Sequence, residues 1–169
     1  MTTTHSTLRL AEPRDAEAIA IMSRELVEVG LGWRYRPEYV RRLIDDPDTV
    51  VLIADTREGV TGFAIMAFGD ERAHLVLLAV RPTHRRRGTG RRLIEWQLDS
   101  AATAGIASIH LELRVGNVAA RTFYRALGFT DTVRIPGYYG GREAAIRMVR
   151  VLRAPAPQLV SWQARFDRR

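Results

Sequence analysis

Three groups of residues in this chain have the types and spacing to do chemistry. The first is Arg85-Arg86-Arg87-Gly88-Thr89-Gly90-Arg91, which follows an apolar run ending Leu78-Ala79-Val80. A glycine turn opening a helix suits phosphate, because the first-turn N–H groups lack intrahelical acceptors and the helix dipole favours negative charge. Gly88 and Gly90 carry no side chain to hold a pyrophosphate off the main chain, and the arginines add charge-assisted hydrogen bonds. No Gly-Lys-Ser/Thr follows, so this is not a Walker loop, and the third glycine of a dinucleotide fingerprint is missing.

The second group is a carboxylate and a phenol, Glu112 and Tyr124, which can accept and donate protons. Along Ser108–Val115, alternation puts Ile109, Leu111, Leu113 and Val115 on one face and His110, Glu112 and Arg114 on the other. A strand inside a helix-covered sheet is expected to be apolar on both faces, so a polar row there asks for a reason. A structural Glu–Arg or Glu–His pairing is one such reason, and proton transfer is another. Tyr124, taken alone, reads first as a core tyrosine with its hydroxyl at the edge.

The third group is aromatic. Trp33, Tyr35, Tyr138 and Tyr139 lie in two loops and either wall an acceptor pocket or pack those loops together. The four histidines show no close pairing, and with no cysteine in the chain there is no metal-site spacing. His5 and His74 are expected at the surface. His84, in the turn before the arginines, could touch a phosphate, and His110 shares a face with Glu112 and could tune it.

These groups need a scaffold. Thr7–Leu10 reads as a first strand, and Pro13 and Asp15 open a helix to about Val29. A second helix starts at Pro37 and ends at the Asp45–Asp48 turn. Val50–Ala54, Val60–Phe68 and Ala73–Val80 form an antiparallel meander, since the turns between them are short. A helix over Thr89–Thr103, a strand over Ser108–Val115 and a helix over Val118–Leu127 follow. Thr130–Arg134 and Ala144–Val151 are the last strands, joined by a Pro136–Gly141 loop. The order β-α-α-β-β-β-α-β-α-β-β implies an α+β (mixed αβ) fold with helices on both sides of a mixed sheet of about seven strands. Residues 1–153 are expected to form one domain, and 154–169 a proline- and arginine-containing extension, either loose or a dimer arm.

The 169 residues are 46% hydrophobic and 27% charged, a globular composition with room for a core. The apolar run Leu75–Val80 is far too short to cross a bilayer, and Met1–Leu10 lacks signal-peptide features, so no membrane role and a cytoplasmic home are expected. The net charge is +7, and every one of the basic residues is arginine. That field needs a partner: cofactor phosphates, nucleic acid or an acidic surface. The densest arginine run surrounds the glycine turn rather than a tail or a helix face. No recognition helix or aromatic-interleaved RNA motif accompanies it, which leaves a basic RNA-binding or RNA-modifying protein as the weaker reading.

Arg85-x-x-Gly88-x-Gly90, after a strand ending Leu78-Ala79-Val80-x-Pro82, resembles the acetyl-CoA signature of GNAT-type N-acetyltransferases. Leu111-Glu112-Leu113-Arg114, Asn117, Ala120, Tyr124 and Leu127-Gly128-Phe129 resemble the second signature of that superfamily. With Tyr138-Tyr139, Gly141-Arg142-Glu143 and Met148, the pattern is similar to the ribosomal-protein N-terminal-alanine acetyltransferases within it. The resemblance implies acetyl-CoA as acetyl donor and an amine acceptor, either a peptide N-terminus or a small amine, with no metal. It implies that main chain at Leu78, Ala79 and Val80 pairs with the pantetheine arm, that an amide near Leu78 polarises the thioester carbonyl, and that backbone at Arg86–Arg91 holds the pyrophosphate, with Asn117 also on the cofactor. It further implies that Glu112 accepts a proton from the amine and that Tyr124 donates one to the departing thiolate. Without cysteine, transfer is expected to be direct. A CoA-binding sensor without catalysis is the other alternative, against which the presence of both Glu112 and Tyr124 counts.

Overall fold

The computed structural model describes residues 6–153. His5 and the 154–169 extension lie outside the described residues. Seven strands and four α-helices follow one another as β1 (Thr7–Leu10), α1 (Ala16–Leu26), α2 (Pro37–Asp45), β2 (Thr49–Thr56), β3 (Gly59–Phe68), β4 (Arg72–Val80), α3 (Thr89–Thr103), β5 (Ser108–Arg114), α4 (Val118–Ala126), β6 (Thr130–Tyr139) and β7 (Glu143–Val151). The expected mixed α+β architecture is what the chain adopts. The sheet order is β1-β2-β3-β4-β5-β7-β6, and among the described residues only β4 and β5 run parallel.

Alternation along the central strands divides the core between the two faces of the sheet. Val51 and Ile53 of β2 with Phe63 and Ile65 of β3 pack under α1 and α2, against Ile19, Met22 and Val40. Their neighbours Leu52, Ala54, Ala64 and Met66 face α3 and α4, against Leu93, Ile94 and Tyr124. Both faces being covered, the stretches Val50–Ala54 and Gly62–Phe68 are apolar throughout, as buried strands require.

Strand β4 does not keep this alternation. Ile65 of β3 is opposite Leu77 while Met66 is opposite Leu75, so Val76 is an extra residue, a bulge. Ala73 and Leu75 therefore belong to the α3–α4 side, whereas Leu77 and Ala79 belong to the α1–α2 side. A period-2 reading from the sequence would have put all four on one face.

Two element ends differ from expectation by three residues or more. Helix α1 stops at Leu26 rather than Val29, because the buried Glu28 carboxylate turns inward to accept from Ser23 Oγ at 2.9 Å and from the Arg34 amide at 2.7 Å. Strand β6 runs on to Tyr139, so the expected Pro136–Gly141 loop shrinks to a tip at Gly140–Arg142. Register shifts between Ile135 and Tyr139 absorb the extra residues, and Pro136 is tolerated because β6 is the sheet edge.

Candidate active site

Parallel pairing of β4 with β5 covers only Arg72↔Ser108, Ala73↔Ile109 and His74↔His110. Beyond that point the strands part, and a cavity of about 360 Å³ opens between them, lined by Leu78, Glu112, Asn117, Tyr124 and Tyr139 among others. The Arg81 amide donates to Thr61 O on the β3 side at 2.8 Å, while the Val80 carbonyl accepts from Arg85 Nε at 3.0 Å on the other. Backbone polar groups alternate along a strand, so N–H and C=O of Leu78 and of Val80 face the gap. An extended ligand arm can add there as a strand would.

The free β4 edge leads, through Pro82–His84, into the arginine–glycine turn. Gly88 takes φ +76° at the N-cap of α3, a left-handed conformation that glycine adopts without strain, and no side chain caps this helix end. Arg86 also has a positive φ, 57°, which costs a non-glycine residue about 1 kcal/mol. A Cβ on Gly90 would lie 3.4 Å from Phe123 and 3.7 Å from Val80, so the helix start is seated close against the gap. The arginines are not all free. Arg85 holds Val80 O, Arg91 reaches Glu95 at 3.3 Å, and Arg92 donates to Ser6 O at 2.9 Å. His84 shares its Nδ1 with the Thr83 hydroxyl at 2.9 Å.

Glu112 sits on the other side of the cavity, in the polar row of β5. Oε1 accepts from Arg147 Nε at 2.8 Å and Oε2 is 2.7 Å from His74 Nε2. Burial on its own would raise the carboxyl pKa, but the hydrogen bonds and positive charge of His74 and Arg147 prevail and bring it down to about 2. His74, expected at the surface, is partly exposed but engaged with Glu112. It is the last β4 residue paired to β5, and its ring stacks on that of His110 at 4.4 Å and 8°. Burial, then the neighbouring His74, lowers the pKa of His110. His74, His110 and Glu112 bring ligand-type atoms within 4.8 Å of one another. However, the Arg147 cation already lies against this carboxylate, and a second cation there would be repelled by it.

Tyr124 is 8% exposed, held edge-on by Phe123 and Phe129 at 5.1 and 5.6 Å. Burial pushes its phenol pKa well above the ordinary tyrosine range, so it is present as O–H. Asn117 lines the cavity and also caps α4, its Oδ1 accepting from the Ala120 amide at 3.1 Å.

Two walls flank the cavity mouth. Arg114 joins them: Nη1 meets Glu143 Oε2 at 2.7 Å, Nη2 donates to Val29 O at 2.7 Å, and the guanidinium lies over Tyr139 at 5.2 Å. Of the four aromatics singled out in the sequence, Tyr139 lines the cavity and Tyr138 packs edge-on against it at 4.9 Å. Trp33 and Tyr35 pack instead against the α1–α2 core, Trp33 donating to Ala20 O at 3.2 Å. The sequence reading missed His74, Arg147 and the bridging role of Arg114. Its only clue was the polar row on β5, which demanded partners without saying where they lie.

Residues 19–129 match the model of the acetyltransferase (GNAT) family. The chain belongs to that family. Its GNAT segment is 39% identical over 100 residues to a ribosomal protein bS18-alanine N-acetyltransferase of Salmonella typhimurium, covering 57% of this chain and 66% of that protein. The match therefore spans just under two thirds of that relative. Over the whole fold, the crystal structure of the ribosomal-protein-S18-alanine N-acetyltransferase from Escherichia coli superposes with a TM-score of 0.78 at 26% identity, covering 91% of this chain and 98% of that one. A putative acetyltransferase from Salmonella typhimurium, solved with its cofactor acetyl-CoA, shares the fold with a TM-score of 0.75 at 23% identity, covering 90% and 97%. Among the described residues, no helix is long and apolar enough to cross a membrane.

Proposed function

We propose that this protein transfers acetyl from acetyl-CoA directly to a primary amine, with Glu112 as proton acceptor and Tyr124 as proton donor. One observation carries the reading: where β4 and β5 part, a cavity brings the β4 edge at Leu78 together with Glu112 and Tyr124, and that edge leads along the chain to the uncapped start of α3.

Roles follow from the chemistry of each group. Main chain at Leu78–Val80 holds the pantetheine arm, the Leu78 amide faces the thioester carbonyl, and amides at Arg86–Arg91 hold the pyrophosphate. The attacking amine must be uncharged, and a peptide α-amine has a pKa of about 7.7–8.0. Glu112, ionised by its partners, takes the proton through water. A carboxylate with so low a pKa is a weak base, and it serves by collecting a proton that the forming C–N bond has already made acidic. Tyr124 stays an O–H until the thiolate departs.

The acceptor we favour is a protein N-terminal amine. Similarity to the bS18-alanine acetyltransferases supports it. So does the state of the nearby carboxylates: Glu28, Glu112 and Glu143 each hold partners within the protein, which leaves them poor sites for a polycationic small amine. CoA release against peptides with varied first residues, and against polyamines, amino acids and aminoglycosides, tests both levels. Peptides beginning with alanine are expected to turn over best. Preference for a small amine would reject the acceptor, and silence from every acceptor would reject acetyl transfer.

A further inference from the structure

We propose that His74 is a positioning residue for Glu112, fixing one carboxylate oxygen while its own charge sets how readily that carboxylate accepts a proton. The inference rests on reading Glu112 as the proton acceptor. Strand pairing places the two residues. His74 is opposite His110 in the last pair before β4 and β5 separate, and Glu112 is two residues further along β5, on the same face. Its carboxylate lies against the imidazole, 2.7 Å from Nε2.

Both oxygens of Glu112 are held, but by different kinds of group. Arg147 on Oε1 keeps its charge at any pH a protein survives. An imidazole changes charge between about pH 5 and 8. Nε2–H donates to Oε2 both in the neutral Nε2–H tautomer and in the imidazolium, so the geometry persists while the charge changes. The remaining ionisable groups near the pair are His110 on β5, Arg72 on β4, Arg114 on β5, and Tyr138 and Tyr139 on β6. Exposure separates the partners: the His74 side chain is 34% exposed and that of Glu112 4%, so His74 meets bulk solvent directly while Glu112 opens only to the cavity it lines.

The consequence is a base whose strength follows its neighbour. With His74 as imidazolium, the carboxylate is stabilised by two cations and accepts a proton poorly. With His74 neutral, one cation remains and proton affinity rises. During transfer the amine nitrogen bonds to the acetyl carbon and the C–S bond breaks. Glu112 takes a proton from the nitrogen and later returns it to solvent, while Tyr124 protonates the sulfur and is reprotonated from solvent. His74 neither gains nor loses a proton in that cycle.

The test is kcat against pH at saturating acetyl-CoA and peptide, from pH 5.5 to 8.5, for the wild type, H74Q, H74F, H110F and E112Q. Glutamine keeps a neutral N–H donor, so H74Q is expected to flatten the acid limb, shrinking the ratio of kcat at pH 8 to that at pH 6 at least threefold. H74F keeps the ring stack but leaves Oε2 unpaired, and is expected to lose at least tenfold in kcat with the KM for acetyl-CoA unchanged. H110F should retain the wild-type limb. Calorimetric binding of acetyl-CoA confirms that each variant is folded. A limb in H74Q that superimposes on the wild type, or one lost in H110F instead, overturns the proposal. Full activity in E112Q overturns the prior assignment of Glu112, a separate outcome.

Discussion

Arg147 on β7 donates through Nε to Oε1 of Glu112 on β5 at 2.8 Å, and the two residues are directly opposite in the antiparallel register. A cation from one strand therefore holds the carboxylate of the next inside a largely buried site. The energetic consequence is a dependence of stability on acid. Burial opposes ionisation of Glu112, yet His74 and Arg147 bring its pKa from 4.5 to about 2. Between those values the unfolded chain binds more protons than the folded one, so this stabilisation is complete above about pH 4.5 and is lost as pH falls toward 2. Urea midpoints measured across that window should fall more steeply for the wild type than for E112Q. Equal slopes would contradict the pairing.

Tyr124 offers a cleaner separation of chemistry from folding. Its ring is fixed by Phe123 and Phe129, contacts that phenylalanine keeps. Y124F is expected to lower kcat by roughly 100-fold, the usual scale for losing a general acid, with melting temperature and acetyl-CoA affinity nearly unchanged. Retained kcat in this variant removes Tyr124 from the mechanism.

Gly90 is the place to test the anion site. A side chain there points toward Phe123 and Val80 at the mouth of the gap, and aspartate would add a negative charge beside the first-turn amides. G90D should weaken acetyl-CoA binding by at least about tenfold in calorimetry, since one charge at a helix N-terminus and the lost close approach act together. Unchanged affinity would mean that the pyrophosphate lies elsewhere.

Arg114 ties the segment after α1 to the β6–β7 hairpin through Val29 O and Glu143. R114M removes both contacts and keeps much of the side-chain volume. Loosened walls should raise the KM for the peptide acceptor roughly three- to tenfold by misplacing it, while the KM for acetyl-CoA stays constant. A change confined to acetyl-CoA would show that Arg114 serves the donor side.

Much of this protein is legible in one dimension. Helix starts at Pro37 and Thr89, the meander of β2 to β4, and the Gly88-x-Gly90 turn are local signals, each written by neighbouring residues with fixed spacing. Family resemblance is carried by the same short segments, and the match over residues 19–129 agrees with it. The β6 extension was not legible, because a proline and three glycines read as a loop until an edge position and register shifts accommodate them.

The order of elements, the glycine turn that opens α3 and the polar row of β5 were determined by the sequence alone, because periodicity and local backbone preference act over a few residues. Only the tertiary structure decided that Val76 bulges, that β4 and β5 part after His74, and that His74 and Arg147, 38 and 35 residues from Glu112, close on the same carboxylate. Register between distant strands is a global outcome of packing both faces of the sheet at once, and no local pattern encodes it.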